Sequence, residues 1–381
     1  MKQAAIFQVV RERPPGYGGV ERVAHELALE WQRHGIDVIT FCLQPAGMGC
    51  DETALAVPYK VVNLPRIRFG QLLIPLPSRE LLYLLNQRDA LYAHLPCPAV
   101  LMLSILARLH HPKRLIRLHW HAFLQPPPGL KGLLIHLYQS LALRWAAAGV
   151  HSVITTSPIL ARGLEETGVA AGKIKVLPCC LGDEQEKSGF LIAAARRSQR
   201  ECLCREGFRL LFIGRLDSYK RVDWLIQAFA RSNASKLDIV GDGPQRAAFQ
   251  KLAAASAKGS SITFHGRLDE ADKQILLQQA HLLVLPADCC NEAFGIVQLE
   301  AMACGVPALA LDCPRSGAAW VSRLKSVIGM QQVSSDDLVL AIDRLVDDQL
   351  LWLAACDQAG KRYGNCFARS TWQATFADQL L

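Results

Sequence analysis

The stretch from Asn291 to Pro307, NEAFGIVQLEAMACGVP, constrains this chain more than any other part of it. Glu292 and Glu300 are separated by seven residues. Phe294 and Gly295 between them mark a turn, and a run of good helix formers then ends at Gly305 and Pro307. Leu282–Pro286 upstream and Ala308–Leu311 downstream have the length and composition of short buried strands. The local order is therefore strand, loop carrying Glu292, helix carrying Glu300, strand. Repeats of that kind build open α/β sheets, which bind ligands beyond the carboxyl ends of their strands. A helix starting near Gly295 offers free N–H groups and a positive dipole end to a phosphate. Glu300, about one turn inside that helix, is placed to accept hydrogen bonds from a ribose, and Glu292 to do the same for a second polyol. A diphosphate flanked by two polyols is a sugar nucleotide. Taken alone, the two glutamates equally fit a helix cap and a solvated surface position.

The rest of the chain repeats the alternation. Ala4–Val10 reads as a first strand running into RERPPGYGGVER, whose glycines permit a tight turn and close backbone approach to a ligand before a helix over Val20–Arg33. Asp37–Phe41, Leu91–Leu95, Leu115–His121 and Ser152–Thr155 are further strands. Ile67–Leu85 reads as an apolar covering segment with a leucine-rich helix, and Leu130–Ala148 as a helix behind the rigid Pro126–Pro128 loop. Leu181–Gly207 is charged and irregular in pattern, as a linker with an insertion would be. Strands resume at Arg209–Ile213, Leu237–Val240 and Ile262–Leu268. After the first of them, Gly214-Arg215-Leu216-Asp217-Ser218-Tyr219-Lys220 places basic residues on a glycine turn ahead of a helix, which suits a diphosphate. A Gly-x-Gly-x-x-Gly fingerprint is absent, which argues against a dinucleotide enzyme.

The pattern Glu292-x-Phe294-Gly295-x4-Glu300-Ala301-Met302-Ala303-x-Gly305-x-Pro307, joined to Gly214-Arg215-Leu216-x3-Lys220, closely resembles the Glu-x7-Glu signature of retaining glycosyltransferase family 4, the group 1 glycosyltransferases of lipopolysaccharide and polysaccharide type. That resemblance implies an α/β chain of GT-B fold, with two Rossmann-like domains facing each other across a cleft. It implies an N-terminal acceptor-side domain over 1–180, a linker over 181–207, a nucleotide-sugar domain over 208–366, and a final helix over 367–381 packing back on the first domain. It makes Arg215 and Lys220 the pair that neutralises the donor diphosphate, Glu292 the residue that positions the donor sugar, and His121 the group at the reacting face, with His119 as the alternative. Gly18, Gly19, Gly214, Phe294, Gly295, Ile296, Glu300, Arg267 and Leu268 are implied to line the donor. Tyr17, His94 and His119 are acceptor-side candidates, and His94 equally fits a structural histidine. Many relatives have glycine after the lysine, where this chain has Arg221. The loop Cys313–Val321 departs from the Gly-Gly-x-Pro-Glu of many others, so an acid there is lost.

The implied reaction moves a hexose from a UDP- or GDP-linked sugar to a lipid-linked saccharide with retention, in lipopolysaccharide or exopolysaccharide assembly. No cofactor is expected. The chain has no Asp-x-Asp, so no metal is expected either. Alternatives are a GT-B phosphorylase or sugar-nucleotide epimerase, and a non-catalytic nucleotide-sugar binder.

At 381 residues, 51% hydrophobic and 20% charged, the chain has material for two cores and is not disordered. The longest apolar run, Leu95–Ala107, is broken by two prolines and a serine and is too short to span a bilayer. No signal peptide is visible, and thirteen cysteines without a Cys-x-x-Cys pair suit reduced thiols in the cytoplasm. The net charge of +8 lies in residues 1–178, with 19 Lys and Arg against 11 Asp and Glu. Leu101–Val150 holds six basic residues and no acidic one. Such a half suits an anionic membrane surface or acceptor. A nucleic-acid partner is not expected, since no binding motif is present and the glutamate motif would have no purpose.

Overall fold

The central strand of the first sheet, β1 (Ala5–Val10), is apolar except for Gln8 and is buried along nearly its whole length. A strand buried on both faces needs parallel neighbours joined by covering helices. β2 (Asp37–Pro45) pairs with it on one side and β5 (Ala90–Leu95) on the other. With β3 (Lys60–Phe69), β4 (Leu72–Pro75), β6 (Ile116–Trp120), β7 (Ser152–Thr155) and β8 (Ile174–Val176), the sheet order is β4-β3-β2-β1-β5-β6-β7-β8. All pairs are parallel except β3–β4. The computed structural model describes residues 5–16, 18–45, 56–70, 72–205 and 207–381. It divides into Met1–Pro178 with Phe376–Leu381, and Cys179–Thr375.

Among the described residues the second unit has five strands: β9 (Arg209–Ile213), β10 (Lys236–Val240), β11 (Ile262–Gly266), β12 (Leu282–Leu285) and β13 (Ala308–Ala310). Their order, β11-β10-β9-β12-β13, is all parallel and doubly wound. In both sheets the chain reverses direction of growth beside its first strand, between β1 and β5 and between β9 and β12. A crevice opens at such a point because the two flanking connections leave to opposite faces.

Three expectations need correction. In the segment Ile67–Leu85 the leucine-rich helix lies at Arg79–Asn86, but the residues before it are strand rather than cover: Arg66–Phe69 pairs antiparallel with Leu72–Pro75. β4 alternates exposed and buried residues, the period of a strand, and Ser78 stops it by capping the helix through Leu81 N–H at 3.1 Å. The 181–207 stretch is no irregular linker. Asp183–Ser198 is a helix of the second unit with acids in its first turn and arginines in its last, a charge order that matches the helix dipole. Its charged residues hide a packed side on which Gly189 lies against Ala303 and buried Arg196 donates to the Gln278 carbonyl at 2.6 Å. The last helix, Arg369–Leu380, joins the first unit only from Phe376 onward. There Phe376 packs on Trp31, and Arg117 donates to the Leu380 carbonyl at 2.7 Å. Phe367 stays in the second unit, edge-on to Phe294.

Candidate active site

In the second unit, the chain leaving β9 turns at once. Gly214 N–H donates to the Val240 carbonyl at 3.0 Å and Leu216 N–H to the Asp242 carbonyl at 3.0 Å. Gly241 has φ +131, and a Cβ there would strike the Gly214 carbonyl, so two strand ends lie backbone to backbone. A single turn, Ser218–Lys220, leads to the helix Val222–Arg231. Arg221 joins them at φ 48 and ψ 44, in the left-handed region that glycine adopts without strain. A side chain there costs about 1–2 kcal/mol. Arg221 offsets the strain by bonding Asp223 at 2.7 Å and Asp288 at 3.2 Å, with its guanidinium 3.6 Å from the Trp224 ring centroid.

That turn brings Lys220 Nζ into direct contact with Glu292 Oε2. Both side chains are nearly buried, 13% and 12% exposed. Burial lowers the Lys220 pKa to about 8, against the pull of the Asp217 carboxylate. The Glu292 loop is held from behind by the 313–317 segment, where the Ser316 hydroxyl donates to the Glu292 carbonyl and Gly317 N–H to the Ala293 carbonyl at 2.8 Å. Asp288 N–H donates to the Tyr219 carbonyl at 3.1 Å and ties this loop to the turn after β9. An ammonium keeps three N–H donors, so one can hold Glu292 while the others serve a phosphate.

Gly295 sits at φ +71, and a Cβ there would lie 2.6 Å from Leu285 Cδ1, so no other residue fits the turn without strain. Phe294 is buried. The helix begins at Val297, just past Ile296, and places Glu300 in its first turn. Glu300 is buried and forms an ion pair at 2.8 Å with Lys273, which also holds Glu270 at 2.9 Å. Lys273 belongs to the helix Glu270–Gln279 and was not expected from the sequence, where it is one basic residue in an acid-rich turn. Ser316 and Gly317 were also missed, because their contribution runs through backbone carbonyls. Arg215 is mostly exposed, with Nε 3.1 Å from Asp217 Oδ2. Arg267, exposed, and Leu268, half-buried, follow β11.

In the first unit, Gly18 caps the helix Gly19–Arg33, and any Cβ at Gly18 would strike the Glu21 carboxylate. Glu21 is buried, which raises its pKa. Gly19 faces open space, so packing does not demand glycine there. Tyr17 lies outside the described residues. Parallel register sets Gln8 opposite Tyr92 and His94 opposite His119. His121 follows the end of β6. The three imidazoles stack, with His119 and His121 centroids 4.1 Å apart and His94 and His121 5.1 Å apart. His94 Nδ1 lies 2.8 Å from His121 Nε2, and His94 Nε2 3.0 Å from Gln8 Oε1. Tyr92 OH lies 3.0 Å from His119 Nδ1. Exposure is 0% at His119, 1% at His94 and 8% at His121, so His121 is the least buried of the three. Burial keeps all three neutral at pH 7 and takes His121 down to about 3. Their nitrogens lie within 4.8 Å of one another, a spacing that also suits a metal ion.

The basic stretch 101–150 is partly spent on the fold itself. Arg114 is buried, donating to the Asp89 and Leu84 carbonyls at 2.9 and 2.8 Å, and Arg108 donates to the Arg114 carbonyl at 2.7 Å. Arg114 is therefore no surface cation.

Two family models match: "Glycosyl transferases group 1" over residues 203–363 and "Glycosyltransferase Family 4" over residues 17–185. O-antigen chain mannosyltransferase C of Escherichia coli is 26% identical over 97% of this chain and 93% of its own length. D-rhamnosyltransferase WbpZ of Pseudomonas aeruginosa is 27% identical over 59% of this chain and 56% of its own. Among solved structures, Anabaena HepE in complex with UDP superposes with a TM-score of 0.73 at 17% identity, covering 99% of both chains. WaaG, described as a glycosyltransferase involved in lipopolysaccharide biosynthesis, superposes with a TM-score of 0.66 at 17% identity over 98% of both. Two Rossmann-like units of the GT-B fold, with the glutamate pair and the lysine at the switch point of the second, agree with both models: the chain belongs to the group 1, family 4 glycosyltransferases.

Proposed function

We propose that this glycosyltransferase moves a hexose from a UDP- or GDP-linked sugar to a lipid-linked saccharide, with retention and without a metal, in lipopolysaccharide or related polysaccharide assembly. The observation that carries the donor reading is the buried contact of Lys220 with Glu292 at the β9–β12 switch point. The relatives' names, an O-antigen mannosyltransferase and a rhamnosyltransferase, support the polysaccharide context, and the HepE complexes with UDP and UDP-glucose support the donor class.

In this reading Lys220, with Arg215, stabilises the departing diphosphate, the largest charge that develops. Glu292 accepts from a donor-sugar hydroxyl and Glu300 from the ribose. The bond from the anomeric carbon to the phosphate oxygen breaks and the bond to the acceptor oxygen forms on the same face. The acceptor's hydroxyl proton passes to the leaving phosphate. The test is a thermal-shift screen of nucleotide sugars, followed by transfer to a lipid-linked acceptor with and without EDTA and NMR of the new anomeric centre. Binding of one donor stabilises the fold by mass action. An inverted product, loss of activity on chelation with recovery on adding a divalent ion, or epimerised donor without transfer would each refute the corresponding part.

Docking to an anionic bilayer rests on the helix Leu130–Ala148 more than on the basic content of residues 101–150, since Arg114 is buried. Leu130, Leu133, Leu134, Leu137 and Leu141 recur at spacings of three and four, so they form one stripe, and each is at least 52% exposed. Exposed Lys113, Lys131 and Arg144 supply positive charge, and a basic residue near an anionic leaflet contributes about 1 kcal/mol. Among the described residues no helix is long and apolar enough to cross a membrane. Liposome co-sedimentation should need anionic lipid and fall when Leu134 and Leu137 become glutamine. Equal binding to neutral liposomes, or none to either, would reject docking.

A further inference from the structure

We infer that Gln8 and His94 are positioning residues that fix the tautomer of His121, so that His121 offers substrate a hydrogen-bond acceptor at Nδ1. The inference rests on the glycosyltransferase reading only for the identity of that substrate, a sugar hydroxyl. Gln8 is fully buried. Gln8 Nε2 lies 3.1 Å from the Ala24 carbonyl and 3.2 Å from Thr40 Oγ1. A carbonyl only accepts, so the amide nitrogen must face it, and the amide orientation follows from the network. Gln8 Oε1 therefore faces His94 Nε2 at 3.0 Å. An amide oxygen also only accepts, so His94 carries its proton on Nε2. A neutral imidazole has one N–H, and His94 Nδ1 is then a bare lone pair. It lies 2.8 Å from His121 Nε2, which must be the N–H donor. His121 Nδ1 is left unprotonated by the same rule.

Stacking secures the neutral forms. A proton added to any of the three rings would put a cation between two other imidazoles in a site with almost no exposure. The three imidazoles are also close enough for a metal, but His94 Nδ1 and His121 Nε2 are already engaged with each other at 2.8 Å. The relay uses that bond, whereas a metal would require breaking it. His121 is the least buried member of the cluster, so the fixed tautomer is presented where a ligand can meet it.

The test reads tautomers directly. Long-range ¹H–¹⁵N NMR of the full chain labelled in histidine, with peaks assigned by loss in His94→Asn and His121→Asn, should show both residues neutral and protonated at Nε2 at pH 7. A proton on His121 Nδ1, or an imidazolium, overturns the inference, and this readout needs no turnover, so it stands apart from the fate of the proposed reaction. Gln8→Met, nearly the same size, should release the His94 tautomer and lower kcat roughly 10- to 100-fold, the range for lost orienting partners, with donor KM little changed. An unchanged tautomer in folded Gln8→Met refutes the relay. So does stoichiometric cobalt(II) binding that His94→Asn abolishes.

Discussion

Replacing Lys273 by methionine should unfold the second unit more readily than replacing its partner Glu300 by glutamine. The ammonium and carboxylate are 2.8 Å apart, with side chains 11% and 4% exposed. At an effective dielectric of 20, 332/(εr) makes their attraction about 6 kcal/mol, most of it cancelled by the desolvation of both ions. Removing one partner leaves the desolvation of the other uncompensated, a loss of about 3–5 kcal/mol. Lys273→Met strips the cation from Glu300, and from Glu270 at 2.9 Å, so about 3 kcal/mol is expected. In a unit the size of Cys179–Thr375, that lowers Tm by roughly 6–12 °C. Glu300→Gln leaves Lys273 its bond to Glu270 and should cost less stability, while weakening donor binding by about 1–3 kcal/mol through unpaired ribose hydroxyls. The double variant carries no buried carboxylate at position 300 and should melt above Lys273→Met alone. Calorimetry of the three variants and donor titration of Glu300→Gln make the test. A loss below about 1 kcal/mol in Lys273→Met would refute the buried-pair argument. Undiminished donor affinity in folded Glu300→Gln would refute the ribose assignment.

Lys220→Ala should lower kcat about 10²-fold, as removal of a transition-state stabiliser does. The Lys220 pKa is held down to about 8 by burial, so its cation is present below that pH and lost above it. kcat/KM for the donor should therefore fall as pH rises through about 8 or a little higher, and Lys220→Arg should abolish that limb; a flat wild-type profile to high pH would count against Lys220. Gly295→Ala should cost about 1–3 kcal/mol in urea melts, from its φ of +71 and the 2.6 Å approach of Leu285. Gly18→Ala should impair the protein through collision with Glu21, whereas Gly19→Ala, in open space, should be near neutral in stability. Equal behaviour of the last two would refute the packing account of the loop.

Most strands were legible in the sequence, because burial on both faces demands short apolar runs and each run carries its own turn residues at its ends. Ala5–Val10, Arg209–Ile213 and Leu282–Leu285 are of this kind. The spacing of Glu292 and Glu300 around Gly295 was legible for the same reason, since a left-handed turn and one helical turn are local events. Elements whose stability is not local were misread. Asp183–Ser198 looks like a linker because its solvent side is charged, and only packing against Ala303 reveals the helix. Arg114 looks like a surface cation until the fold closes over it. Partner choice lay further still from view. Lys273 meets Glu300, Ser316 meets the Glu292 carbonyl, and Gln8 meets His94 across 86 positions of chain. Those pairs follow from which strands lie side by side and in what register, and parallel neighbours are joined by long crossovers that leave no local trace. The sequence by itself determined the alternation of strands and helices and the residue types at the turns. Strand order and register alone decided which polar groups are buried together, and with them the ion pairs and the histidine relay.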